Sequence, residues 1–272
     1  MATEKRARKK AARDAALAAR EAEMRRRRWA RLGAVGLVIA LIVGLAIFSG
    51  DDSGDGGGNG GDSEPAAGET SAAPGGVACG AEEPPAADPQ QYEEPRNVTE
   101  EGVDYGAIIQ TSCGDIEMDL LEEKAPETVN NFIFLAREGY YDGLIWHRVE
   151  PDSVIQTGDP DGVNGQEPDG PGYTIADEFP QEASEYVYGV VGLANAGPGT
   201  GGSQFFIVVH DPDGGEPAGF QPLYSIFAEV AESSYPTLEE ISKQETFGGN
   251  DPAQATVPVS PIYIEAIEIT ES

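Results

Sequence analysis

The chain has 272 residues with 17 Lys+Arg, 48 Asp+Glu and a formal net charge of −31, an average that hides two opposite parts. Residues 1–31 hold 12 of the basic residues against four acids, and everything after them carries five against 44. Two His and two Cys, with no Cys near either His, give poor support to a metal site. No Walker loop, HExxH pair or nucleophile elbow is present for phosphoryl transfer or ordinary hydrolysis.

The basic segment, EKRARKKAARDAALAAREAEMRRRR, is Ala-rich and helix-forming. RNA or ribosome binding is one reading of such a charge run, and membrane topology is the simpler one, because an apolar run adjoins it. Residues 32–49, LGAVGLVIALIVGLAIFS, are free of charge and as a helix reach about 27 Å, close to the hydrocarbon thickness of a bilayer. The run ends before an acidic tract rather than at a small-residue cleavage site, so an uncleaved anchor is expected rather than a signal peptide. Basic residues on one side of the span then put 1–31 in the cytoplasm and the rest outside the cell membrane, with no nucleic-acid partner.

Residues 50–102 are rich in Gly, Pro, Asp and Glu and poor in large apolar side chains, which predicts a disordered tether. From residue 103 to 272 the texture becomes that of one folded domain. GAIIQT and IEMDLL flank SCGD as a hairpin, and VYGVVGLANA, QFFIVV, LYSIFAEV and PIYIEAIEI read as further strands, as does the whole stretch 144–160. Two segments read as helices. In APETVNNFIFLAREG, Pro126 starts the helix, Val129, Phe132, Ile133 and Ala136 share a face, and Gly139 stops it; the second is PTLEEISKQETFGG. The elements point to a mainly β barrel or sandwich with two helices.

Cys79 and Cys113 both lie beyond the expected span, where thiols oxidise, so a disulfide between them is expected, with two free thiols as the alternative. By the chain-entropy model such a bond contributes about 3 to 4 kcal/mol. In LIWHRVEPDSVIQTGDP a single Arg148 on a strand would ordinarily be a solvated edge residue. In GLANAGPGTGGSQFFIVV, small residues and amides precede two aromatics: Asn195 and Gln204 offer donors and acceptors, and Phe206 can be aimed into a pocket.

The ordered segments NNFIFLAREGYYDGLIWHRV, VIQTGDP, GPGYTIADEF, GLANAGPGTGGSQFFI and LYSIFAEV closely resemble the cyclophilin-type peptidyl-prolyl cis-trans isomerases across residues 105–270. With its basic N-terminus, span and linker the chain resembles the membrane-anchored cyclophilins of actinobacteria. The resemblance implies a closed eight-stranded antiparallel β-barrel capped by two helices, needing neither cofactor nor metal. It implies Arg148, Gln156 and Phe206 as catalytic residues, and Val154, Ala194, Asn195, Ala196, Gln204, Phe220 and Tyr224 as substrate-binding residues. Ser153 departs from the family, standing where an aromatic pocket wall is usual. His147 reads as structural and His210 as a surface loop residue.

The expected function is isomerisation of X-Pro bonds in exported or cell-envelope proteins by a monomer. The alternative is a low-activity chaperone module that binds proline-containing polypeptides. Weak cyclosporin binding is also expected, because Ser153 lacks an aromatic contact and no Trp lies between His210 and Tyr224.

Overall fold

Period-two alternation builds the sheet from its first hairpin onward. In β1 (Tyr105–Thr111) Tyr105, Ala107, Ile109 and Thr111 are buried, while the residues between them are not; in β2 (Gly114–Leu120) Ile116, Met118 and Leu120 take the inward positions. The later strands are β3 (Arg148–Glu150), β4 (Val154–Thr157), β5 (Val190–Leu193), β6 (Phe205–Val208), β7 (Ile226–Val230) and β8 (Ile264–Glu271). All belong to one antiparallel sheet in the order β3-β4-β6-β5-β7-β2-β1-β8. The computed structural model describes residues 76–162, 170–212, 216–249 and 254–272. The expected cytoplasmic segment, the membrane span at 32–49 and residues 50–75 of the expected linker lie outside the described residues, among which no helix is long and apolar enough to cross a membrane.

The two outer strands of the sheet, β3 and β8, share no regular ladder. Instead, residues 143–146 ahead of β3 meet residues 262–264 at the head of β8. Gly143 N donates to Ile264 O, Ile264 N to Leu144 O and Trp146 N to Ile262 O, each at 2.8 Å. The sheet therefore comes round on its core with a short bridged seam, where the sequence led to the expectation of a fully closed barrel.

Helix α1 (Pro126–Arg137) buries Val129, Phe132, Ile133 and Ala136, the face that the periodicity predicts, and Gly139 ends it at φ +70°. Ala125 cannot cap its first turn. The carboxylate of Glu178 does so from a distant loop, accepting from Glu127 N at 3.1 Å and from Thr128 N at 2.8 Å. Helix α2 (Tyr235–Ser242) buries Leu238 and Ile241. Inside the sheet, Phe132 of α1 packs against Phe205 and Phe227 at centroid distances of 5.6 and 5.3 Å, and Trp146 lies 6.0 Å from Phe205. These large rings fill the core from several strands at once.

Two further expectations are corrected. Residues 144–160 are not one strand: Pro151 interrupts the ladder, Asp152 takes a left-handed φ of +58°, and the chain folds back as the β3–β4 hairpin. Residues 76–102, expected to be disordered, are laid against the domain. Ala78 N donates to Pro261 O at 3.0 Å, Tyr92 N to Pro171 O at 2.7 Å and Val98 N to Asn130 Oδ1 at 2.8 Å. Tyr92 stands edge-on to Phe134 of α1 at 4.9 Å, so Phe134 is buried on the side of the helix facing this strap.

Two glycines make room for the strap. A Cβ on Gly143 would lie 2.6 Å from Pro85 O and one on Gly172 2.7 Å from Tyr92 O, and both residues have positive φ. A disulfide joins Cys79 to Cys113 in the β1–β2 turn across a sequence separation of 34. A composition rule counts apolar residues per length and so overlooks a segment held by a few anchors on a surface already built.

Candidate active site

Register alone aligns the principal side chains. Arg148 on β3 pairs with Gln156 on β4, Gln156 with Phe206 on β6, and Phe206 with Gly192 on β5. Residues opposite one another in antiparallel strands project from the same face. Their chain neighbours Val149, Ile155, Phe205, Ile207 and Val191 belong to the main core. A guanidinium, an amide and a phenyl ring thus stand in a row on the outer face.

Gly192 ends that row, and its lack of a side chain seats the ring: an added Cβ would lie 2.4 Å from Phe206 Cζ. Phe206 joins Val154, Val190, Val208 and Ile226 in a second, smaller apolar cluster outside the sheet. Phe220 and Tyr224 stand edge-on to it at 5.8 and 5.3 Å, forming walls around an apolar floor. Tyr186 holds one wall in place. Its hydroxyl donates to Tyr224 O at 2.7 Å and accepts from Tyr224 N at 3.0 Å, and burial pushes its pKa up to about 12, so it stays a donor.

The polar side of the row is also ordered. Arg148 Nη1 donates to Gln156 Oε1 at 3.1 Å, while Nη2 pairs with the Glu150 carboxylate. Gln156 Nε2 donates to Gln204 Oε1 at 2.9 Å, and Gln204 Nε2 to Asp159 Oδ2 at 3.1 Å. The backbone of Gln204 receives Ala194 N at 2.9 Å, which brings the 194–196 loop against β6. Both ends of the Asn195 amide are engaged within the site: Nδ2 donates to Leu223 O at 2.8 Å and Oδ1 accepts from Gly197 N at 3.1 Å. Ala196 N donates to Thr200 Oγ1 at 2.8 Å, tightening the same turn. Ser153 lies in the β3–β4 turn, half-buried, its carbonyl accepting from Val209 N at 2.9 Å.

The structure thus brings Arg148, Gln156, Gln204 and Phe206 together over Val154, with Phe220 and Tyr224 as walls and the 194–196 loop alongside. Four contributors escaped the sequence reading. Gly192 carried a usable signal, since glycine inside a strand marks close approach. Glu150 did too, lying two residues from Arg148 on the same strand face. Tyr186 and Asp159 gave none, because their roles depend on partners far along the chain. The set contains a cation, amides and an apolar floor but no activated nucleophile, so it suits a ligand whose charge distribution shifts without bond cleavage.

His147, next to Arg148, turns away from this face and is fully buried, with no hydrogen-bond partner at either ring nitrogen among the described residues. Burial, opposed by Asp159 and aided by the Arg148 charge, lowers its pKa from 6.5 to about 4. It is therefore neutral at neutral pH. The unfolded chain gains this proton near pH 6.5 and the folded chain only near pH 4, so stability is lost as pH falls between those values and is unaffected above them. In urea unfolding at pH 7 and pH 5, the wild type should lose about 2 kcal/mol more than His147→Asn. Equal losses would show that His147 titrates alike in both states. A second variant, Gly192→Ala, should push Phe206 from its seat, costing about 1–3 kcal/mol of stability and lowering the activity of this face. Unchanged activity and melting temperature would contradict the close approach.

Comparison with known proteins agrees with this geometry. Residues 107–268 match the family described as cyclophilin type peptidyl-prolyl cis-trans isomerase/CLD. Peptidyl-prolyl cis-trans isomerase A of Mycobacterium tuberculosis is 38% identical over 180 residues, covering 60% of this chain and 91% of the relative. Solved structures match as well. A cyclophilin type peptidyl-prolyl cis-trans isomerase of Cryptosporidium parvum aligns with a TM-score of 0.51 and 28% identity, covering 62% of this chain and 99% of that one. The same protein solved in the presence of the dipeptide Ala-Pro aligns with a TM-score of 0.51 and 29% identity, covering 61% of this chain and 99% of that one. A fold, a site face and a family match over residues 107–268 thus converge, and the chain belongs to the cyclophilin-type peptidyl-prolyl cis-trans isomerases.

Proposed function

We propose that the row Arg148–Gln156–Phe206 is the catalytic face on which this enzyme rotates X-Pro bonds. The observation that carries the proposal is the shared register, which sets a guanidinium beside an apolar floor, an arrangement that suits a proline ring and its amide lying side by side. Rotation about the amide breaks no bond. Its barrier, about 18–20 kcal/mol, is the lost resonance between nitrogen and carbonyl. As that resonance goes, the prolyl nitrogen becomes pyramidal and regains a lone pair, to which Arg148 donates. This interaction is strongest in the twisted state and so accelerates the reaction rather than merely tightening binding. Phe206 and Val154 hold the ring, Phe220 and Tyr224 close its sides, and Gln156, Gln204 and the backbone of 194–196 hold the flanking peptide.

The biological setting is read from the sequence. The charge-free run 32–49, flanked by basic residues on one side only, supports a single-pass anchor with the isomerase domain outside the cell membrane, acting on exported or cell-envelope proteins. Protease added to intact cells should cut within residues 50–75 and release the acidic domain. Protection of the domain while residues 1–31 are digested would reverse the orientation.

For the catalytic face, Arg148→Ala should lose about 2–4 kcal/mol of barrier lowering, or about 30- to 1000-fold in kcat/KM for a proline-containing peptide, with the fold intact. Full activity in the variant would remove Arg148 from catalysis. A wild type that binds peptide without accelerating exchange would favour the chaperone reading, to which Ser153 in place of an aromatic wall lends support.

A further inference from the structure

We infer that Asp159 is the positioning residue of the site: its acceptor-only carboxylate fixes the direction of a hydrogen-bond relay that ends on Arg148. The inference rests on the reading of Arg148 as the catalytic group. Asp159 is only 3% exposed and lies outside the row of residues that face a substrate. Its Oδ1 accepts from the backbone amide of Asp161 at 3.0 Å and its Oδ2 from Gln204 Nε2 at 3.1 Å. From there the relay runs through Gln204 Oε1, Gln156 Nε2 and Gln156 Oε1 to Arg148 Nη1.

The two ends of this chain cannot exchange roles. A carboxylate only accepts and a guanidinium only donates, whereas the two amides between them can each be turned end for end. Only one orientation of both amides satisfies every link, and Asp159 selects it. With Gln156 Oε1 presented to it, Arg148 is held on the Nη1 side as well as by Glu150 on the Nη2 side. Without that acceptor, one of the two supports is lost and the guanidinium keeps more rotational freedom, which a group required to meet a transient lone pair cannot have.

Changing one atom of Asp159 tests this. In Asp159→Asn the remaining carbonyl oxygen must stay on the backbone donor of Asp161, which cannot turn, so the new amide faces Gln204. Gln204 then reverses, Gln156 reverses in answer, and its NH2 meets Arg148, donor against donor. In Gln156→Glu the Arg148 end is satisfied, but Gln204 lies between two carboxylates and can donate to only one. In the double variant the amide introduced at position 159 donates to Gln204, and Gln204 donates to the carboxylate introduced at position 156. That carboxylate accepts from Arg148 as well. The relay is complete again with its net charge unchanged.

The experiment measures kcat/KM by peptide exchange, unfolding midpoints, and the NMR signals of the Arg148 guanidinium without peptide, in the full chain and all three variants. Asp159→Asn should lower kcat/KM at least about tenfold, mainly through kcat, and should merge Arg148 Nη signals that are distinct in the wild type. Gln156→Glu should keep those signals distinct while lowering the unfolding midpoint. The double variant should recover activity at least about fivefold over Asp159→Asn, together with the midpoint and the separate signals. Effects of the two changes that simply multiply, or an Asp159→Asn protein like the wild type in all three readouts, would overturn the inference. A wild type without activity whose Arg148 signals still follow this pattern would refute the isomerase assignment of the face while supporting the relay.

Discussion

The two-residue period of β3, β4 and β6, held in one register, is the constraint on which the remainder of the site depends. Along β4, Ile155 enters the main core while Val154 and Gln156 face outward; along β6, Phe205 and Ile207 go in and Phe206 comes out. A slip of one residue would exchange these sets, exposing Phe205 to water and driving Gln156 into the aromatic core. The buried rings therefore specify the position of the proposed catalytic face as firmly as they specify the fold. The β3–β4 turn adds the last element, since Pro151 and the left-handed Asp152 bring Arg148 opposite Gln156.

Two apolar clusters divide the work of the domain. The larger, inside the sheet, carries α1, α2 and the anchors of the strap and supplies most of the buried surface. The smaller cluster, on the outer face, offers a rigid floor for a ligand ring beside a guanidinium that is partly open to water. Rigidity suits a reaction with no covalent step, in which the protein contributes orientation and a few well-placed dipoles. The hydroxyl of Tyr186, bonded both ways to the Tyr224 backbone, and the hydrogen bonds that link Asp159 through Gln204 and Gln156 to Arg148 are two means to that end.

Local pattern made much of this legible in the sequence. The strands around Ile109, Ile116 and Phe205 and the helix with Phe132 on its buried face follow from short-range periodicity, whereas Arg148, Gln156 and Phe206 were reached only through the ordered motifs that carry the family resemblance. What stayed hidden depends on distant contacts. In the sequence Asp159 is one acid among many, and its contact with Gln204 comes from 45 residues further along the chain. Tyr92 and Ala78 looked like isolated residues of a tether, and only the surfaces of Phe134 and Pro261 give them a place. The break at Pro151 was visible as a residue without an amide N–H, but the alternation on either side of it reads through as one strand.

The most direct test of the account is two-dimensional exchange NMR on a short Ala-Pro peptide with substoichiometric full chain, recorded together with contacts between peptide and labelled protein. The account predicts cis-trans exchange far faster than the tens to hundreds of seconds of the uncatalysed bond, with the prolyl ring in contact with Phe206 and Val154. Exchange at the uncatalysed rate, or a prolyl ring seated away from Phe206, would contradict it.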